Sequence, residues 1–322
     1  MMQRRRLGRT DLEISLLGFG AGAVGGLMTR GAALDQERAI TRAIELGINY
    51  IDTAPLYGNG ESERNLGRVL KALKPDIVLG TKVRLKAADH GRIGDFVARS
   101  MDESLQRLAR DHVDLFQLHN PLVAADADDR LAIDVALNEV VPAMQRLQKA
   151  GKTRFIGFSG VGETPALVRA IEAGVFDTMQ VVYNVLNPSA GGPMPNGAPG
   201  QDYANLLDRT RAMDMGTIVI RALAGGALAG TMERHPLAMQ AVEPIGSAPS
   251  FVADVARAKV LEPLVKQGVA SSLTELALRF VIANPNVTTM LVGYSTLDQL
   301  EQAAAAVNKG PLAEETLLRL RK

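Results

Sequence analysis

Short β-branched and apolar runs alternate along the chain with segments of helical period. Eight runs read as strands: Leu16–Ala21, Asn49–Thr53, Ile77–Val83, Val113–His119, Arg154–Ser159, Met179–Tyr183, Thr217–Ile220 and Val287–Gly293. Runs such as Thr217-Ile218-Val219-Ile220 lack the alternation of a half-exposed strand, as strands buried on both faces do. Between the runs, Val97, Met101, Leu105 and Leu108 recur at spacings of four, four and three and mark one helix face. Pro142 suits the first turn of a helix running to Ala150, with Gly151 at its end. Thr164 reads as an N-cap with Pro165 at the first helical position, opening a helix that stops before Gly174.

Strands alternating with helices pair in parallel through crossovers, as a closed barrel or as an open doubly wound sheet. Two features favour the barrel. Arg4–Ser15, with Gly8 and Thr10-Asp11 at its centre, reads as a hairpin ahead of the first core strand. The residues with chemical potential fall at the ends of successive strands, as barrel sites do. The expected fold is α/β, a (β/α)8 TIM barrel with an N-terminal β-hairpin. No linker or compositional shift divides the chain, so one domain is expected over residues 1–322. Two segments break the rhythm. Asn187–Gln201 is rich in glycine and proline, and Ala229–Ser250 contains Pro236, Pro244, Gly246 and Pro249. Both are expected on the C-terminal face as lids or binding loops.

Composition narrows the function. A formal net charge of +1 offers no broad field for nucleic acid or an acidic membrane. Arg4-Arg5-Arg6 reads as a solvated strand end. The absence of cysteine excludes disulfides, thiolate metal ligands and cysteine nucleophiles, and fits a reducing cytoplasm. The four histidines are scattered rather than clustered with carboxylates, so no metal site is expected. No apolar core of signal-peptide length follows the N-terminal charges, and no run approaches the roughly 18 apolar residues of a membrane span. A cytoplasmic protein acting on a small molecule is expected.

Asp52 ends the second predicted strand, Tyr57 follows in the loop, Lys82 ends the third strand and His119 the fourth. A carboxylate, a phenol, an ammonium and an imidazole thus converge on one barrel mouth. A tyrosine with a pKa of about 10 is a weak acid at neutral pH. A nearby ammonium favours the phenolate and is expected to lower that pKa. A carboxylate beside the lysine keeps it charged and oriented. A histidine can donate a hydrogen bond to a carbonyl oxygen as negative charge develops there. The set suits protonating an oxygen while hydride arrives at its carbon. A Schiff base on Lys82 would leave Asp52 and Tyr57 without roles.

The stretch Tyr50-Ile51-Asp52-Thr53-Ala54-Pro55-Leu56-Tyr57-Gly58, followed by Gly60-Glu61-Ser62-Glu63, resembles the aldo-keto reductase signature. The likeness continues through Thr81-Lys82, Leu118-His119, Gly151-Lys152, Ile156-Gly157-Phe158-Ser159, Gln180 to Asn184, and Gly293. It implies that Asp52, Tyr57, Lys82 and His119 form a catalytic tetrad with the tyrosine as proton donor. It also implies an NAD(P) cofactor extended across the mouth, in agreement with the lack of a G-x-G-x-x-G after the first strand. By the same resemblance Ser159 and Gln180 contact the nicotinamide carboxamide. Ile220 and Arg221 stand where the family has an aromatic platform, and Gly160 where it usually has asparagine. Gly293, Ser295 and Gln299 match the segment along the adenosine phosphate.

The segment Gly293–Glu301 holds no basic residue for a 2′-phosphate, so NAD is favoured over NADP. Arg234 and Lys309 are the basic side chains that could reach the phosphate instead. The expected reaction interconverts a carbonyl (aldehyde, ketone or aldose) and an alcohol, or a lactol and a lactone. The two long loops are expected to close over the mouth when cofactor binds. The alternative is a non-catalytic, cofactor-binding regulatory subunit on the same fold. With no tryptophan and 4% aromatic residues, a small or polar substrate pocket is expected.

Overall fold

The computed structural model describes residues 2–127 and 129–320. Strands β1 (Arg4–Arg6) and β2 (Glu13–Ser15) pair antiparallel as the expected hairpin. Then come β3 (Leu17–Gly20), β4 (Tyr50–Asp52), β5 (Val78–Val83) and β6 (Val113–Leu118). A short parallel pair follows, β7 (Leu122–Val123) with β8 (Leu131–Ala132). The last four are β9 (Thr153–Gly160), β10 (Thr178–Val182), β11 (Gly216–Ile220) and β12 (Thr289–Gly293). Strands β3 to β6 and β9 to β12 close into a parallel barrel, with β12 pairing back onto β3. These are the eight predicted runs, within two residues at each end.

Two apolar layers hold the barrel. Helices cover its outside: Val97, Met101, Leu105 and Leu108 form the buried face of the helix Ile93–Leu108, as their spacing requires. The inside is a separate core of Tyr50, Val78, Leu115 and Ile218, joined by Leu7 and Ile14 from the hairpin. The hairpin therefore plugs the N-terminal end of the barrel. Side chains two apart on a strand share a face, so each strand changes character along its inward side. Tyr50 is followed by Asp52, and Leu115 by Gln117 and then His119. The barrel is apolar at the plug and polar at the opposite mouth.

Two local expectations are corrected, and a third gains a detail. Arg5 is not a solvated strand end. It is half-buried and donates to the carbonyls of Ile282, Asn284 and Val287 at 2.5–3.1 Å, closing the end of the helix Leu273–Ile282. Thr164 is the first residue of its helix, and Glu163 precedes it as the cap. Its hydroxyl instead donates to Asp202 O at 2.6 Å and accepts from Gln201 at 2.9 Å. Pro142 lies in the first turn of the helix Val141–Lys149, which ends at Ala150 as expected, but Ile133–Val135 and a π-turn, Ala136–Val140, run into that helix from before it. Proline lacks the N–H that an α turn would use there, and a wider turn accommodates it.

The segments Asn187–Gln201 and Ala229–Ser250 leave the C-terminal ends of β10 and β11, and they are tied together. Asn187 donates through Nδ2 to the carbonyls of Gln201 and Gly246, and Gln201 N donates to Gly246 O at 3.1 Å. Arg257 donates to Leu186 O at 2.6 Å and Ser247 O at 2.9 Å beneath them. Among the described residues no helix is long and apolar enough to cross a membrane.

Candidate active site

Asp52 and Lys82 stand on neighbouring parallel strands, β4 and β5, with both side chains turned into the barrel. Lys82 is fully buried, and its ammonium has three donors to place. One goes to Asp52 Oδ1, one to Thr53 O at 2.8 Å and one to Tyr57 OH at 3.2 Å. Tyr57 is delivered by a tight turn in which Gly58, Asn59 and Gly60 adopt φ of 63°, 52° and 85°. Glycine and asparagine reach this left-handed region with least strain, which accounts for the Gly-Asn-Gly run. His119 extends the ladder beyond β6 by donating its backbone N–H to Val83 O at 2.8 Å. Its ring meets that of Tyr57 edge-on, with centroids 5.9 Å apart. The structure thus brings all four predicted residues to one mouth.

The electrostatics differ from expectation at Tyr57. Burial pushes the phenol above its ordinary pKa, and Lys82 pulls against this without overcoming it. The net shift is upward, where the ammonium alone would have lowered it. At Lys82 burial opposes the charge, but Asp52 and Tyr57 outweigh it and hold the ammonium above its usual value. Burial raises Asp52, yet its oxygens face four donors, the arrangement of an ionised carboxylate. His119 is pushed well below its usual range, first by burial and then by Lys82 and Arg84. Its imidazole is neutral at pH 7, and its buried Nδ1 has no partner among the described residues.

Sequence reasoning missed several neighbours, and of the uncharged donors to Asp52 it singled out only Gln180, in another role. Tyr50, Gln117 and Gln180 all donate to Asp52 Oδ2. Arg84, beside His119 in the field it feels, pairs with Asp129 at the rim. Asn120 grips both backbone groups of Leu85, at 2.9 and 2.8 Å, and so fixes the end of β5. The period-two relation of Tyr50 to Asp52 was visible in the sequence. The contributions from β6 and β10 depend on barrel closure.

The Aldo/keto reductase family model matches residues 16–322. The chain belongs to the aldo/keto reductase family. It is an NAD(P)-dependent oxidoreductase by that membership. It is 31% identical to an L-galactose dehydrogenase from Arabidopsis thaliana, over 96% of this chain and 89% of that one. It is 26% identical to a probable voltage-gated potassium channel subunit beta from the same plant, over 98% and 94% of the two chains. Among solved structures, the holo form of an aldo-keto reductase from Bacillus halodurans superposes with a TM-score of 0.75 at 25% identity, covering 100% of this chain and 97% of that one.

For an aldo/keto reductase, the residues expected to seat the cofactor have definite surroundings here. Ser159 Oγ lies 3.3 Å from Gln180 Oε1, and Gln180 Nε2 donates to Asp52 Oδ2 at 2.9 Å. Ser295 Oγ donates to Gly25 O at 2.6 Å, and its N–H donates to Gln299 Oε1 at 2.8 Å. Both therefore brace the turn after β12. Gly293 lies exposed at that turn. Arg221 sits at the mouth with a left-handed backbone, φ 59°, held by Asn184 donating to its carbonyl at 2.9 Å. Its guanidinium donates to Glu243 O at 3.0 Å and forms no ion pair among the described residues. An unpaired, half-buried cation beside the left-handed Gly225 and Gly226 fits the diphosphate of a dinucleotide.

Proposed function

We propose that the protein interconverts a carbonyl and an alcohol, with Tyr57 passing the proton to and from the carbonyl oxygen. The observation that carries this reading is the Lys82 ammonium, whose three donors fix Asp52, the Thr53 carbonyl and the Tyr57 hydroxyl in one unit. A substrate oxygen placed between Tyr57 OH and His119 Nε2 would accept two hydrogen bonds. His119, being neutral, polarises the carbonyl without competing for the proton. Tyr57 then protonates the developing alkoxide, a far stronger base than phenolate, so its raised pKa is no obstacle to reduction. Lys82 offsets the phenolate charge left behind. When bound, NAD(P)H supplies the hydride. Arg221, Ser159, Gln180 and the Gly293–Gln299 turn are the residues that would hold it. NAD is the favoured form, and the substrate is a small or polar aldehyde, ketone or aldose, with lactol oxidation as the reverse-type reaction.

A regulatory, redox-silent role on this fold would leave the Lys82–Tyr57 arrangement without a purpose. Turnover of NADH by the purified protein with any of a panel of aldehydes and aldoses separates the two readings. Tyr57→Phe keeps the ring and removes only the hydroxyl. Carbonyl reduction should fall by at least about 10²-fold while cofactor affinity stays within about twofold. Wild-type turnover in this variant, with chemistry rate-limiting, removes Tyr57 from its role.

A further inference from the structure

Asp52 presents only one oxygen to Lys82. The other, Oδ2, points down the barrel into three uncharged donors: Gln180 Nε2 at 2.9 Å, Tyr50 OH at 3.1 Å and Gln117 Nε2 at 3.4 Å. All three side chains are at most 2% exposed. They come from β10, β4 and β6, so the cradle exists only in the closed barrel. Gly80 on β5 makes room for it. A Cβ there would stand 3.2 Å from Tyr50 OH and 3.5 Å from Asp52 Oδ2.

Tyr50 is the unexpected member. Its ring belongs to the apolar interior with Val78, Leu115 and Ile218, where phenylalanine would pack equally well. A buried hydroxyl costs free energy unless it is bonded, and this one is bonded to a carboxylate. Burial and the adjacent Asp52 push Tyr50 well above the ordinary phenol range, so it serves as a permanent donor.

We propose that Tyr50 is a positioning residue of the proton-transfer unit, setting the proton affinity of Tyr57 through Asp52 and Lys82. This rests on the reading of Tyr57 as the acid. A donor on Oδ2 disperses the charge of Asp52, so more of the Lys82 field reaches the Tyr57 hydroxyl 3.2 Å away. Without the Tyr50 hydroxyl, the carboxylate claims more of that field and Tyr57 becomes harder to ionise.

The test uses the full-length protein labelled with 13Cζ-tyrosine. Its five tyrosines give few signals, and the one missing from Tyr57→Phe is assigned to Tyr57. In Tyr50→Phe the Tyr57 midpoint should rise by about half to one pH unit, and single-turnover alcohol oxidation at pH 8, which draws on the phenolate, should slow by about 3- to 10-fold. The cofactor dissociation constant should stay within about twofold, because the hydroxyl lies below the mouth. In an Asp52→Asn background the same substitution should slow the reaction by less than about 1.5-fold, since the charge it acts on is gone. If alkaline unfolding precedes the titration, this cycle at pH 8 reads the coupling alone. Should Tyr50→Phe fail to fold, Gln117→Met removes another donor from the same oxygen and should act in the same direction, more weakly. An unmoved midpoint, or equal slowing in both backgrounds, overturns the proposal. If Tyr57→Phe is inactive and Tyr50→Phe leaves the coupling unchanged, only this inference falls. If Tyr57→Phe is active, the reading of the site falls.

Discussion

Tyr57 lies where two opposing influences meet. Burial holds its proton on, and Lys82 draws it off, with burial the stronger. The phenol is therefore protonated through the neutral range, and the sign of the pH dependence follows. On the proposed reading reduction needs the phenol and oxidation the phenolate, so reduction should be nearly flat from about pH 6 to 9. Alcohol oxidation needs the phenolate, which becomes about tenfold scarcer with each pH unit below the pKa. Its rate should rise across the same range without levelling before about pH 10. Lys82→Met removes the cation that favours phenolate, so the rising limb should move to still higher pH and both directions should slow. A limb that moves down in Lys82→Met, or an oxidation rate already level at pH 8, contradicts the assignment. Stopped-flow rates in both directions make the comparison.

At the scale of elements, the helices that buttress the barrel are joined by charge as well as by apolar contact. Glu275 opens the helix Leu273–Ile282 with the N-cap Ser272, whose side chain accepts from Glu275 N at 3.1 Å. Its carboxylate accepts from Ser271 Oγ at 2.6 Å, Arg279 at 2.9 Å and Lys309 at 2.6 Å. Lys309 caps the helix Leu297–Asn308, so one buried carboxylate ties two helices. Burial pushes Glu275 up, but Lys309, Ser271 and Arg279 outweigh it and hold its pKa at about 2. A folded-state pKa below the unfolded one gives stability that is full above about pH 4.5 and is lost as pH falls toward 2. Glu275→Gln should therefore lose roughly 2–3 kcal/mol at pH 7 in urea denaturation. The gap from the wild type should close between about pH 5 and 2. A gap independent of pH over that range would show that packing, not charge, joins these helices.

Across the whole molecule, the cations considered for a 2′-phosphate, and Arg42 beside Glu301, already have partners. Arg234 donates to Met239 O at 2.6 Å and Gly225 O at 3.0 Å and lies over Phe251. Lys309 is held by Glu275, and Arg42 by Glu301 at 2.7 Å and Glu45 at 3.0 Å. The candidates for a 2′-phosphate clamp therefore have other bonds to keep. One charge-assisted contact is worth roughly 1.5–3 kcal/mol, or about 10- to 150-fold in affinity. Titration of each cofactor into the protein at fixed ionic strength should show NADH bound at least as tightly as NADPH. NADPH binding more than about tenfold tighter would mean that one of these arginines or lysines changes partner. The two long loops are joined to one another through Asn187, Gln201 and Gly246.

The sequence by itself determined what local pattern can determine. Eight strands were legible because burial on both faces leaves continuous apolar runs, and the hairpin because turn residues separate its two halves. Asp52, Tyr57, Lys82 and His119 were legible because each ends or follows a strand, and strand ends meet at a barrel mouth. Tertiary structure decided what depends on residues far apart in the chain. Closure of β4, β6 and β10 around one oxygen made Tyr50 and Gln117 neighbours of Asp52. The carbonyls of Ile282, Asn284 and Val287 drew Arg5 out of solvent, and Asp202 and Gln201 took the hydroxyl of Thr164 away from capping. The upward shift at Tyr57 belongs to the same class. Spacing along a strand fixes which charges are adjacent, but only the packed barrel fixes how much water is excluded around them, and at this phenol exclusion outweighs the charge.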